Sequence, residues 1–231
     1  NKTVTVNKSG ALGSGSVTMA DGTTLKWGAA ATLVNPFTFN GTTTLNPAGF
    51  SASLTGVLSG AGGINIVDNL SLGTIGEVPN TYSGGTNISS NKTVTVNKSG
   101  ALGTGTVTMA DNTTLQFGAS ATIPNAIAVT GNTATINTAG FANILGGAIS
   151  QALNTVTKLI IKGGNILTMN GIASHAGGTE VQGGTSLKAG IANLFGSSNK
   201  SLTLVDAGST FDMAVGSQTL NNLNGEANTI I

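Results

Sequence analysis

Side chains able to do acid–base or metal chemistry are few in this sequence and widely scattered. There is one histidine, His175, and there are eight carboxylates: Asp21, Asp68, Glu77, Asp111, Glu180, Asp206, Asp212 and Glu226. An imidazole acts as a general base only beside a nucleophile or an acid, and no Gly-x-Ser-x-Gly elbow supplies one. Solenoid enzymes that cut polysaccharides converge two or three carboxylates on one face. Here Asp21 and Asp111 occupy matching Ala-Asp-Gly/Asn-Thr stretches and read as turn residues. Only an accident of coiling would bring Asp206 and Asp212 together. The Gly-Gly-x-Gly-x-Asp repeat of calcium-binding solenoids is missing, and without cysteine there is no thiolate metal site. The sequence therefore assigns no catalytic, cofactor or metal residue and names no binding residue. An enzyme is not expected.

The remaining polar groups point to contact rather than chemistry. Charged residues make up 7% of the 231 residues, with a net charge of +1 and no arginine, against roughly 25% charged in an ordinary soluble domain. A nucleic-acid surface needs a clustered basic footprint, which nine scattered lysines do not provide. Lys2/Lys92 and Lys8/Lys98 recur at equal spacing. They are read as solvated edge charges that discourage lateral pairing, with stacking one above another as the alternative. Thr3-x-Thr5, Thr93-x-Thr95 and Thr106-x-Thr108 resemble the flat threonine faces of ice-binding solenoids. That function is set aside because no single regular array is evident. Asn40-Gly-Thr42 and similar triplets follow from a chain this rich in Asn and Thr. No apolar run approaches the ~20 residues of a membrane helix.

The elements that must position these groups are short and repeated. Residues 1–28 read NKTVTVNKSGALGSGSVTMADGTTLKWG and residues 91–118 read NKTVTVNKSGALGTGTVTMADNTTLQFG, an offset of 91 − 1 = 90. The match continues more loosely, pairing Phe50-Ser-Ala-Ser-Leu54 with Phe141-Ala-Asn-Ile-Leu145. It reaches a third copy, where Tyr82-Ser-Gly-Gly-Thr86 returns as His175-Ala-Gly-Gly-Thr179. The copies fall at about 1–80, 81–173 and 174–231, so the chain opens and closes inside a unit and is expected to be an excerpt of a longer protein. Within each unit apolar residues alternate at period 2, as in Val4/Val6, Val17/Met19, Phe37/Phe39, Ile64/Ile66 and Ile127/Val129. These are short strands with one apolar side. Gly, Asn, Asp and Ser clusters between them are turn formers. A helix over residues 148–161 is excluded because Ile149-Ser150 aligns with Leu58-Ser59 in a glycine-rich stretch.

Tandem copies of short strands point to stacking. The expected fold is all-β: a right-handed parallel β-helix, or β-solenoid, built from repeats of about 90 residues and forming one unit over 1–231. With 20–30 residues per turn and the ~4.8 Å interstrand spacing, the rod is expected to be roughly 40–55 Å long. Ile127 should lie in its core, and Lys98 should be replaceable by Ser at almost no cost.

The stretch Thr81 to Thr86, followed by Ala101-Leu-Gly103, Val107-Thr108 and Thr114-Leu115, resembles the passenger-associated transport repeat of bacterial autotransporters. The same order returns at Leu167-Thr-Met169, His175 to Thr179 and Leu187 onward, so the likeness covers nearly the whole chain. It departs at His175, where the family has tyrosine, and at Asn193-Leu-Phe-Gly196, so an aromatic ladder through Tyr82 would be altered there. A flat side chain in such a ladder or on a rim is the expected role of His175. The resemblance implies a passenger at the surface of a Gram-negative bacterium, exported through the outer membrane, with a translocating barrel expected in the full-length protein. Its implied function is adhesion, through self-association or contact with host or matrix glycans or proteins. The alternative is a passive stalk presenting a distal domain.

Overall fold

The structure, a computed structural model, describes residues 2–74, 76–153, 155–196 and 201–225. The backbone there forms strands and turns without helix, and every strand pairing is parallel. The chain winds as a β-solenoid of about ten turns, each of about 21 residues. Each turn passes over three faces in the same order. The strands Thr24–Trp27, Ala31–Leu33 and Phe37–Phe39 lie on the first, second and third face before Thr43–Asn46 returns to the first.

The first face is a nine-stranded sheet from Thr3–Val6 to Ala173–Ser174, and the second a ten-stranded sheet from Ala31–Leu33 to Asn222–Gly225. The third face is two sheets, of three and five strands. The gap between them is bridged by single backbone bonds, Thr81 N–H to Leu58 O (2.8 Å), Asn80 N–H to Gly100 O (3.1 Å) and Gly100 N–H to Thr122 O (3.0 Å). Nine steps along the second face at ~4.8 Å give a rod of about 43 Å.

Alternation places every second side chain inward, where it meets its counterpart one turn away. Leu25, Leu45, Ile66, Ile88, Met109 and Val129 form one such column in register, and all are buried. Val94, Leu115, Ile136, Ile161, Val181 and Leu204 form another. Backbone polar groups are satisfied along the axis while the interior holds apolar surface. Corners are stitched by buried asparagines. Asn35 donates to Gly13 O and Gly15 O, and Asn125 to Gly103 O and Gly105 O, each reaching the turn before it. Asn80 reaches both ways, accepting from Leu58 N–H and donating to Ala101 O.

The sequence repeat and the turn are incommensurate: 90 residues at about 21 per turn is about four turns and a third. Near-identical segments therefore lie on different faces. The strand Thr3–Val6 is on the first face and its repeat Thr93–Val96 on the second. Val17–Met19 is on the third face and Val107–Met109 on the first.

Candidate functional surface

That one-face rotation decides where each polar residue goes. Lys2 and Lys92, like Lys8 and Lys98, do not stack, because the members of each pair belong to different faces. Lys98 also corrects the reading as a solvated edge charge. Its side chain is 1% exposed, and its ammonium lies 3.5 Å from Glu77 Oε2, an ion-pair contact. Its stem lies over Gly73, where an added Cβ would come within 2.6 Å of Lys98 Cγ. Burial pushes the amine below its ordinary value, and the Glu77 charge opposes that. Lys8, at the equivalent repeat position, is exposed; it follows Thr3–Val6, the first described strand of the first face, which pairs on one side only.

His175 is fully buried rather than on a rim. Its Nε2 lies 3.0 Å from Thr179 Oγ1 and 3.1 Å from Gly178 O. Tyr82 is likewise buried, with its hydroxyl 2.6 Å from Thr86 Oγ1. The two do not share a ladder, since Thr86 is on the first face and Thr179 on the second. What the copies keep is the inward bond from an aromatic ring to a threonine four residues on. Burial pushes the Tyr82 phenol well above its ordinary range.

The described carboxylates are committed to structure. Asp21 accepts from Thr42 N–H at 2.7 Å, and Asp111 from Asn132 and Thr133 N–H, so both hold turns as expected. Asp206 accepts from Gly183 N–H at 2.6 Å, Asp212 faces Lys188 at 4.0 Å and Glu180 pairs with Lys158 at 2.5 Å. Asp68 accepts from Gly49 N–H (2.6 Å), Asn69 N–H (2.9 Å) and Lys92 Nζ (3.0 Å). Burial alone would raise its pKa; those bonds outweigh it and lower it. Glu226 lies outside the described residues. Among the described residues no three His, Asp or Glu side chains gather to hold a metal, and no helix is long and apolar enough to cross a membrane.

The outward rows are the surface that remains. On the first face one row runs Thr3, Thr24, Thr44, Asn65, Asn87, Thr108, Ala128, Ser150, Ser174 in unbroken register. It contains no charged side chain, and Asn87 donates to Asn65 Oδ1 at 2.9 Å along it. Beside that row the first face carries the exposed Lys26, while the second face carries the Lys158–Glu180 pair and the third the Lys188–Asp212 pair. The Thr-x-Thr pairs are divided: Thr3 and Thr5 lie on the first face, Thr93 and Thr95 on the second. Sequence reasoning also missed an exposed aromatic in each of the first two copies. Phe50 is 43% and Phe141 36% exposed, each after a turn whose alanine, Ala48 or Ala139, has positive φ (54° and 48°). The signal was present as Asn46-Pro-Ala-Gly-Phe50 and Asn137-Thr-Ala-Gly-Phe141.

The chain matches no family model, no curated protein and no solved structure.

Proposed function

We propose that this chain is a non-catalytic adhesive module of a bacterial cell-surface passenger, docking through its first face onto another copy of itself or onto a host or matrix surface. The observation that carries this reading is the uncharged outward row from Thr3 to Ser174. Eight steps at ~4.8 Å make it about 38 Å long. Hydroxyl and amide groups in such a row offer donors and acceptors at a fixed spacing. Each contact is weak, and repetition along a stiff rod converts weak contacts into avidity. The likeness to autotransporter passenger repeats supports the export route and the surface location.

The stalk reading draws on the same rod: continuous parallel pairing gives length and stiffness without any partner. Beads carrying this chain separate the two. Adhesion predicts that they clump or stick to a host or matrix surface, and replacing Asn65, Asn87 and Thr108 with Lys should abolish it by placing like charges in register. Beads that stay dispersed at every ionic strength and stick to no such surface would favour the stalk.

A further inference from the structure

A cleft of about 400 Å³ opens beside Phe50, where the first face turns into the second. That volume is at the lower end of the roughly 300–1,000 Å³ occupied by small-molecule sites. Its origin is a mismatch in loop length. The connection between the two faces takes five residues, 47–51, in one turn and three, 67–69, in the next. The longer loop overhangs the outward side of the strands Ala52–Leu54, Leu70–Leu72 and Thr93–Val96.

The loop is held in place. Ala48 sits at positive φ, a conformation that persists only where the surroundings over-determine it. Asn46 Oδ1 accepts from Ala48 N–H, and Asp68 accepts from Gly49 N–H. The result is an exposed phenyl ring above a floor of Ser53, Ser71 and Thr95 in register. Ser71 Oγ accepts from Asn97, leaving its own O–H to donate. Asn69 Oδ1 accepts from Thr93 N–H, leaving its NH₂ to donate.

We propose that this cleft binds a neutral pyranose segment of a glycan chain. An aromatic face packs against the C–H surface of a sugar ring, while hydroxyl and amide groups match its O–H groups. The charge of the cleft selects against acidic sugars: the Asp68 carboxylate lines it, and Lys92, the cation beside it, is paired with Asp68. A peptide adding as a strand finds no edge, because all three strands are interior to the ten-stranded sheet. The second copy is an internal control. Phe141 follows the same turn, but the row beside it is Ile144, Thr168, Lys188 in place of Ser53, Ser71, Thr95. The inference does not rest on the adhesive reading, which uses the first face.

The test is calorimetric and NMR titration of the full 231-residue chain with neutral tetrasaccharides: β-1,4-glucose, α-1,4-glucose and β-1,4-N-acetylglucosamine tetramers. A galacturonic acid tetramer and a Ser/Thr-rich decapeptide serve as counter-probes. At least one neutral tetramer should saturate with a Kd of about 1 mM or tighter. Phe50→Ala and, separately, Thr95→Lys should each weaken it about tenfold or more, while Phe141→Ala stays within about twofold. The substituted side chains are outward-facing, so an unchanged melting temperature verifies the fold of each variant. The proposal is overturned if no neutral tetramer binds up to about 20 mM, if Phe50→Ala and Phe141→Ala behave alike, or if either counter-probe binds more tightly than every neutral tetramer.

Discussion

Lys98 and Tyr82 show how burial changes the physics of an ionisable side chain, in opposite directions for a base and an acid. Taking the Lys98 ammonium out of water costs more than one ion pair at 3.5 Å returns. Lys98→Met keeps the stem over Gly73 and removes the charge; it should raise stability by about 1 kcal/mol in urea denaturation. A loss of that size would show the Glu77 pair to be net stabilising. Ile127→Asp, at a site 1% exposed, should cost more than about 3 kcal/mol by the same assay. The two groups also have opposite alkaline signatures. The folded Lys98 amine releases its proton below the ordinary 10.5, so in that window the unfolded chain binds more protons and the Lys98 contribution rises with pH. The folded Tyr82 phenol stays protonated past its ordinary 10.0, so its contribution is complete below pH 10 and is lost as pH climbs further. Thermal melts from pH 9 to 12 should show a steep decline in the parent that is shallower in Tyr82→Phe; equal slopes would remove Tyr82 as the cause.

The strands are two to five residues long, too short to hold together singly, so the corners carry much of the specification. Asn125 donates to two carbonyls of the previous turn at 3.1 and 2.7 Å. Asn125→Ala leaves both without that donor inside the wall and should cost about 1–3 kcal/mol. Gly62 is required for a different reason: a Cβ there would lie 2.1 Å from Gly41 O. Gly62→Ala should force adjacent turns apart and lower the urea midpoint by more than Asn125→Ala does; a near-neutral result would mean the corner relaxes freely. Much at this scale was legible in the sequence. Period-2 alternation marked Phe37/Phe39 and Ile127/Val129 as inward pairs, and Asp21 and Asp111 were identifiable as turn residues. The corner asparagines were not legible, because Asn is common throughout this chain and nothing local distinguishes a buried one.

For the whole molecule the governing quantity is the ratio of repeat to turn. A 90-residue unit on a turn of about 21 residues advances each feature one face per copy. Three copies, 3 × 90 = 270 residues, would span about 13 turns and bring it back to the starting face. An array of this kind displays its loops in a spiral rather than on one side. The ends behave differently from the middle. In this chain Thr3–Val6 leaves an unpaired edge on the first face, with Val4 44% exposed. Such an edge pairs with another chain. Sedimentation should therefore show concentration-dependent association that Val4→Lys suppresses; identical behaviour of the two proteins would place the contact elsewhere.

The sequence by itself determined that this protein is a stack of short parallel strands, since strict alternation, glycine-rich turns and tandem copies admit little else. The tertiary structure alone decided which face each copy occupies, that Lys98 is buried, and that Phe50 overhangs a cleft. The physical reason is that turn length is set by how corners and inward side chains pack across neighbouring turns. A shift of a few residues per turn is invisible in local periodicity but accumulates along the axis.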